Sequence, residues 1–289
     1  MSSGNAIPLD RPLVGRVLDR LEIPQGAEPT EESLRKLYAS WCQHVPFDNV
    51  RKMIHVSSSN NIPLPGSTAG DYFQAWLDHG TGGTCWAGAG ALHALLSMMG
   101  FEADRALGTM LVAPVLPPNH ASVRVRLGER HFLLDTSILH HEPLPLEEDE
   151  ETRIDHPAWG VACSKRGDRW HIQWRPLHKP DRFECRFEGF GIHGDDYLGR
   201  YEQTRGWSPF NYQVCARRNR GDEVIGLAFG HFITLKSDGS VESIHVDDHE
   251  RRRILLDEFG LSREIVSHLP TDRPTPPPPG SRTEAAGST

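Results

Sequence analysis

The chain is organised around one stretch, Gly82-Gly83-Thr84-Cys85-Trp86-Ala87-Gly88-Ala89-Gly90-Ala91-Leu92-His93-Ala94-Leu95-Leu96-Ser97-Met98-Met99-Gly100. It puts a glycine-rich loop directly ahead of an apolar helical run that stops at a glycine, and it sets one cysteine at the junction. The positive end of a helix favours a negative sulfur there, which makes Cys85 the residue to explain.

Upstream, the pattern is helical. Leu9, Leu13, Val17, Leu18 and Leu21 recur at three- and four-residue spacing and predict a helix over 8–23, stopped by Pro24-Gln25-Gly26. Thr30 followed by Glu31 and Glu32 caps a second helix over about 30–43. The segment Val45-Pro46-Phe47-Asp48-Asn49-Val50 breaks at proline into an ordered turn, residues 57–70 read as a polar loop, and 71–78 as a short helix.

Downstream of Gly100, alternation takes over. Residues 105–115 and the hairpin 121–135, turning at Gly128-Glu129, are followed by an acidic solvated connection over 144–154 and strands near 159–161, 169–174 and 182–187. A glycine-rich turn over 189–199 leads to strands near 212–216, 224–229, 231–235 and 241–246, with Asp238-Gly239 turning between the last two. A helix over 247–259 ends at Gly260, and the proline-rich tail 269–289 reads as disordered. Helices and strands in separate blocks point to an α+β fold.

The net charge of −8 argues against a general nucleic-acid or acidic-membrane partner. No window is apolar enough to span a bilayer, so the expectation is a soluble cytoplasmic protein. Cys42, Cys85, Cys163, Cys185 and Cys215 are scattered, odd in number and contain no C-x-x-C pair, which suits reduced thiols. Adjacent His140 and His141 would point to opposite faces of a strand, and no metal site is expected. Phosphate-binding and dinucleotide-binding glycine motifs are absent.

A cysteine nucleophile needs a base and a group that orients it. His120 begins the first hairpin strand, and Asp135, fifteen residues later, ends the second. With the turn centred between 127 and 128, the two are expected directly opposite each other.

These residues, with Val45-Pro46-Phe47-Asp48-Asn49-Val50, Gly82-Gly83-Thr84-Cys85, Trp207-Ser208-Pro209-Phe210-Asn211 and Glu258-Phe259-Gly260-Leu261, resemble the arylamine N-acetyltransferase family over residues 8–268. The resemblance implies a helical N-terminal domain (1–100) carrying the nucleophile, a central β-barrel (101–206) carrying His and Asp, and a C-terminal α/β lid (207–268). The core would be similar to transglutaminases and cysteine proteases. It further implies Cys85 as the acylated nucleophile, His120 as base, Asp135 as its orienting carboxylate, and Phe47 lining the acceptor pocket. The implied reaction is ping-pong, from acetyl-CoA or another acyl-CoA through a Cys85 thioester to an arylamine or hydrazine, with no bound cofactor.

The chain departs from the family pattern at two places. Thr81 stands for an arginine and Ala87 for a glutamate, two charges lost together. The family's D-V-G-F-G-like turn is Asp135-Thr136-Ser137-Ile138-Leu139, so Thr136, Ser137 and Ile138 are expected beside the substrate, with Ile138 and Leu139 reshaping that pocket. An amide synthase taking its acyl chain from a carrier protein, a thioester or amide hydrolase, and a retired binding protein are the other readings of the same residues.

Overall fold

A computed structural model of the chain describes residues 9–58, 61–112 and 117–279. Helix α1 (Arg11–Arg20) opens where the Asp10 carboxylate accepts from Leu13 N, and α2 (Glu31–His44) opens on a capping box between Thr30 and Ser33. The two-residue strand β1 (Phe47–Asp48) leads into α3 (Val50–Ser57). Then come α4 (Ala69–His79), capped by Thr68 and closed by Gly80 in the left-handed conformation, and α5 (Cys85–Met98). Helix α5 is buried on most of its circumference, which its small residues permit. A Cβ on Gly88 would stand 2.6 Å from Thr136 Oγ1, so the helix and the strand-end loop meet where only glycine fits. Around α5 lies a core of Trp41, Tyr72, Phe73, Trp76, Trp86 and Leu92, which takes in Val123, Val125 and Phe132 from the following sheet.

That sheet has eight strands: β2 (Glu102–Met110), β3 (His120–Leu127), β4 (Arg130–Leu134), β5 (Leu144–Pro145), β6 (Thr152–Ile154), β7 (Val161–Arg166), β8 (Arg169–Trp174) and β9 (Phe183–Phe190). They run in the order β5-β4-β3-β2-β9-β8-β7-β6, every pairing antiparallel. The outer strands β5 and β6 approach each other, Thr152 Oγ1 donating to the Pro145 carbonyl at 2.6 Å, so the sheet curls into a nearly closed barrel. Its interior holds Leu133, Ile138, Val161, Ile172, Cys185 and Phe187.

The remaining elements are α6 (Gly194–Gln203), a short 3-10 turn at Pro209–Asn211, β10 (Ala216–Arg220), β11 (Glu223–Ala228), β12 (His231–Leu235), β13 (Val241–His245), α7 (Asp248–Asp257) and α8 (Arg263–Ser267). They form a second antiparallel sheet, β1-β10-β11-β12-β13, in which β1 comes from the N-terminal region. The architecture is α+β: an N-terminal helical region, an eight-stranded antiparallel barrel and a C-terminal α/β region. Among the described residues no helix is long and apolar enough to cross a membrane.

Several elements differ from the sequence expectation. The glycine-rich turn over 189–199 contains the start of α6, which forms because Tyr197 and Tyr201, one helical turn apart, both bury in the N-terminal core. The turn after Pro46 is β1 followed by α3, and the acidic connection ends in edge strands β5 and β6, while Glu148 to Glu151 stay exposed. Strand β10 begins at Ala216, where the 212–216 expectation ended, and β7 begins at Val161 where the 159–161 expectation ended. Residues 113–115 of the strand expected over 105–115 lie outside the described residues, as do Pro8 of the first helix and residues 59–60 of the polar loop. The tail is not free at its start: Asp272 pairs with Arg251 and accepts from Val214 N, Arg273 N donates to the Tyr212 carbonyl at 2.8 Å, and Trp207 Nε1 donates to the Pro276 carbonyl at 3.2 Å. These contacts strap residues 272–276 to the C-terminal region; residues 280–289 lie outside the described residues.

Candidate active site

The position of Cys85 is set by two segments that fold onto each other. Asp48 is buried, and its carboxylate accepts from Gly82 N at 2.6 Å and from Val50 N at 3.0 Å, tying the glycine loop to β1 and to the first turn of α3. Burial pushes the Asp48 carboxyl up to about 6, against the pull of those two N–H donors. A Cβ on Gly82 would stand 1.7 Å from the Pro46 carbonyl oxygen, so this crossing requires glycine. Thr84 is extended (φ −70, ψ 171), and its side chain does not cap the helix that follows. Cys85 starts that helix at 4% exposure.

His120 and Asp135 meet by a different register from the one expected. Strands β3 and β4 pair from Leu127↔Arg130 to Val123↔Leu134, because Gly128 (φ 61) and Glu129 form the two-residue turn with its centre between them. Continuing that register puts Ser122, not His120, opposite Asp135. His120 lies two residues further along the same face, a diagonal that side chains can bridge. Its Nε2 is 2.6 Å from Asp135 Oδ2, and the Ser122 hydroxyl donates to the same oxygen. Asp135 Oδ1 accepts from Ser137 N at 2.9 Å, Ser137 Oγ at 2.8 Å and Ile138 N at 2.8 Å. The Tyr38 hydroxyl donates to the Asp135 carbonyl at 2.8 Å and accepts from Asp135 N at 3.0 Å.

Electrostatics follow from this cage. Burial works against an ionised Asp135, but His120, Ser122 and the Ile138 N–H outweigh it and hold the carboxyl well below its ordinary range. Burial likewise works against a charged His120, and is overcome by Asp135 and by a hydrogen bond with the Cys85 thiol, which together raise the imidazole well above its ordinary value. Asp135 engages Nε2, and the Cys85 thiol is near enough to favour the charged imidazole.

The other sequence-selected residues divide. Phe47 is 7% exposed and packs edge-on against Phe210 of the Trp207–Asn211 segment, ring centres 5.2 Å apart. Thr136 packs against Gly88, Ser137 holds Asp135, and Ile138 is buried in the barrel interior with its N–H on Asp135. Leu139, at the last glycine of the family's turn, is buried with φ 55. Thr81 and Ala87 are both buried, and a Cβ added to Gly66 or Gly83 would stand 2.7 or 2.8 Å from the Ala87 methyl. Tight packing thus fills the place of the missing charges. Sequence reasoning missed Ser122 and Tyr38. Period-two alternation from His120 would have found Ser122, whereas nothing local marks Tyr38.

A helical region, a near-closed barrel and an α/β region thus enclose a buried cysteine at a helix start and a buried histidine–carboxylate pair. The N-acetyltransferase family model matches residues 30–266, and the chain belongs to this family as a divergent arylamine N-acetyltransferase relative. The chain is similar to the arylamine N-acetyltransferase of Mycobacterium abscessus, at 18% identity and TM-score 0.73 over 88% of this chain and 92% of that one. It is similar to the Mycobacterium marinum enzyme in complex with CoA, at 19% and 0.74 over 88% and 96%. The Salmonella typhimurium enzyme gives 22% and 0.71 over 86% and 91%. No curated protein sequence gives a significant match.

Proposed function

We propose that this chain is an N-acyltransferase that carries an acyl group from an acyl-CoA, acetyl-CoA being the reference donor, through a Cys85 thioester to an arylamine or hydrazine. The observation that supports the reading is the buried His120–Asp135 pair, 2.6 Å apart, with the equally buried Cys85 thiol among the groups that raise the imidazole. Asp135 fixes the imidazole's orientation and favours its protonated form, so that His120 takes the Cys85 proton as the sulfur attacks.

The sulfur attacks the thioester carbonyl, the C–S bond to CoA breaks, and CoA leaves as a thiolate that takes a proton from His120. One thioester replaces another, so the protein's contribution is positioning and stabilisation of the oxyanion. The uncapped first turn of α5 offers backbone N–H donors for that oxyanion. An amine of low basicity then attacks the acyl-Cys85 carbonyl. His120 accepts the amine proton as the tetrahedral intermediate collapses, and Cys85 leaves. Phe47 and Phe210 supply an aromatic wall against which the acceptor packs.

The test is intact mass after incubation with acetyl-CoA and with longer acyl-CoAs. The expected result is a single acyl adduct that disappears in Cys85→Ser and is discharged by an aromatic amine. Absence of an adduct with every CoA thioester refutes the proposal.

A further inference from the structure

Ser122 is a buried hydroxyl beside this site that the acyl-transfer steps do not use. It lies on β3 two residues after His120, on the same face, and is fully buried. Its Cα partner on β2 is Ala106, which has no polar side chain to offer it. The hydroxyl turns to the histidine–carboxylate pair instead. It donates to Asp135 Oδ2, the oxygen that accepts from His120 Nε2 at 2.6 Å, and its own oxygen stands 3.3 Å from that nitrogen. Packing against Ala106 alone would be served as well by an alanine.

Asp135 accepts five hydrogen bonds, two at Oδ2 and three at Oδ1, where a carboxylate offers about four lone-pair sites. Two of the five come from serine side chains, Ser122 on Oδ2 and Ser137 on Oδ1 at 2.8 Å. A donor that shares an acceptor oxygen draws charge from it, and that oxygen then stabilises the neighbouring imidazolium less. Inside a buried site, an unshared carboxylate would hold the imidazolium proton more tightly and leave less of the base form that must accept from the amine.

The other titratable groups around the pair are fixed in charge at neutral pH. Burial pushes up Tyr38 and Cys42 on α2 and Cys185 on β9, and keeps them neutral. Cys185 is close: a Cβ on Gly108, the Cα partner of His120, would stand 2.7 Å from its Sγ. Burial holds His140 down at about 4, neutral as well, and Arg217 on β10, lowered by burial to about 10, is charged. Cys85 is the remaining group beside the ring.

We propose that Ser122 is a positioning residue that, by sharing the Asp135 oxygen which holds His120, lets the imidazolium release its proton more readily than Asp135 alone would allow. This deepens the acyl-transfer reading, in which His120 is the base, and its first test needs no substrate.

The His120 imidazole is followed by NMR from about pH 5 to 11 in nitrogen-15-labelled protein carrying Cys85→Ser, so that no thiol beside the ring titrates with it. Ser122→Ala is expected to raise the midpoint by about one unit, about a tenfold gain in proton affinity. Ser137→Ala, which strips a donor from the other oxygen, should raise it by less, and Ser122→Thr, which restores the hydroxyl, should return it to the parent value. With Cys85 intact, the acid limb of kcat/KM for acetyl transfer should move up the pH axis by the same amount in Ser122→Ala. Ser122→Cys, of similar size and a weak donor, serves if the alanine variant does not fold by circular dichroism. An unchanged or lowered midpoint in the folded variant overturns the proposal, even where urea unfolding shows a loss of stability. If no CoA thioester labels Cys85, the acyl-transfer reading falls by itself, and the imidazole midpoint still decides for Ser122.

Discussion

Asparagine at position 135 keeps the shape of the buried carboxylate and removes its charge. Its oxygen can remain on the side of Ser137 and Ile138, preserving the three bonds that Oδ1 accepts. The amide nitrogen then confronts His120 Nε2 and the Ser122 hydroxyl, both of which donate to Oδ2 in the parent. Two bonds to a charged acceptor are lost at about 1.5 to 3 kcal/mol each, so Asp135→Asn should destabilise the fold by roughly 3 to 5 kcal/mol. That corresponds to a fall in melting temperature on the order of 10 °C. To relieve the donor–donor conflict, His120 must carry its proton on the nitrogen that faces Cys85, and a base in that tautomer cannot accept from the thiol. Cys85 acetylation should fall about a thousandfold. A readout independent of substrate is Cys85 alkylation by iodoacetamide, followed by intact mass from pH 5 to 9. At pH 6 the variant is expected to react at least about tenfold more slowly than the parent. Equal alkylation at pH 6, with acetylation unchanged in a folded variant, would refute the coupling of Asp135 to Cys85.

Other perturbations test the supporting structure. Tyr38→Phe leaves the Asp135 N–H and carbonyl without their hydroxyl partner in a buried site, and urea unfolding should show a loss of about 1 to 3 kcal/mol. Asp48 binds a proton in the folded state up to about pH 6 but in the unfolded chain only to about pH 4. Its contribution to stability is therefore full below about pH 4 and lost as pH rises through 6, a span of roughly 3 kcal/mol, and Asp48→Asn should flatten that limb of the stability profile. His120, with its raised value, contributes stability that is full below about pH 6.5 and lost as pH rises through the folded value, so His120→Gln should remove a decline on the alkaline side. At Leu139, left-handed strain of about 1 to 2 kcal/mol competes with burial of about 2 to 5 kcal/mol, and burial wins. Leu139→Gly should destabilise, but less than Leu139→Ala, which loses the side chain and keeps the strain; the reverse order in denaturant midpoints would contradict this.

The sequence made the site legible because its chemistry is local: a cysteine at a helix start, and a histidine and aspartate flanking a hairpin. It misplaced the turn centre by one residue and so their register by two on the second strand, since the turn centre depends on which of Gly128 and neighbouring positions adopts positive φ. The pair still met because a diagonal on one face is as reachable as a directly opposed position. Helix α6 was hidden by its own glycines, its apolar signal reduced to Tyr197 and Tyr201. Strand β10, Ala-Arg-Arg-Asn-Arg, reads as surface although Arg217 and Asn219 are buried between β1 and β11. Lys52 sits in an ordinary amphipathic pattern, yet it is buried beside Tyr201 and Thr204 from far along the chain. Burial of charge is a tertiary outcome that no window of sequence contains.

The strap formed by residues 272–276 gives the protein's end a mechanical role. Arg251 is 5% exposed and is neutralised by Asp248 on its own helix and by Asp272 from the strap. A protease that cuts after Leu269 would therefore remove half of the counter-charge of a buried guanidinium and bare the edge of Trp207, two residues before the segment that brings Phe210 to Phe47. Such a nick, far from Cys85 along the chain, should reach the Phe47–Phe210 contact as a loosened hinge, and a tag joined beyond residue 279 should not.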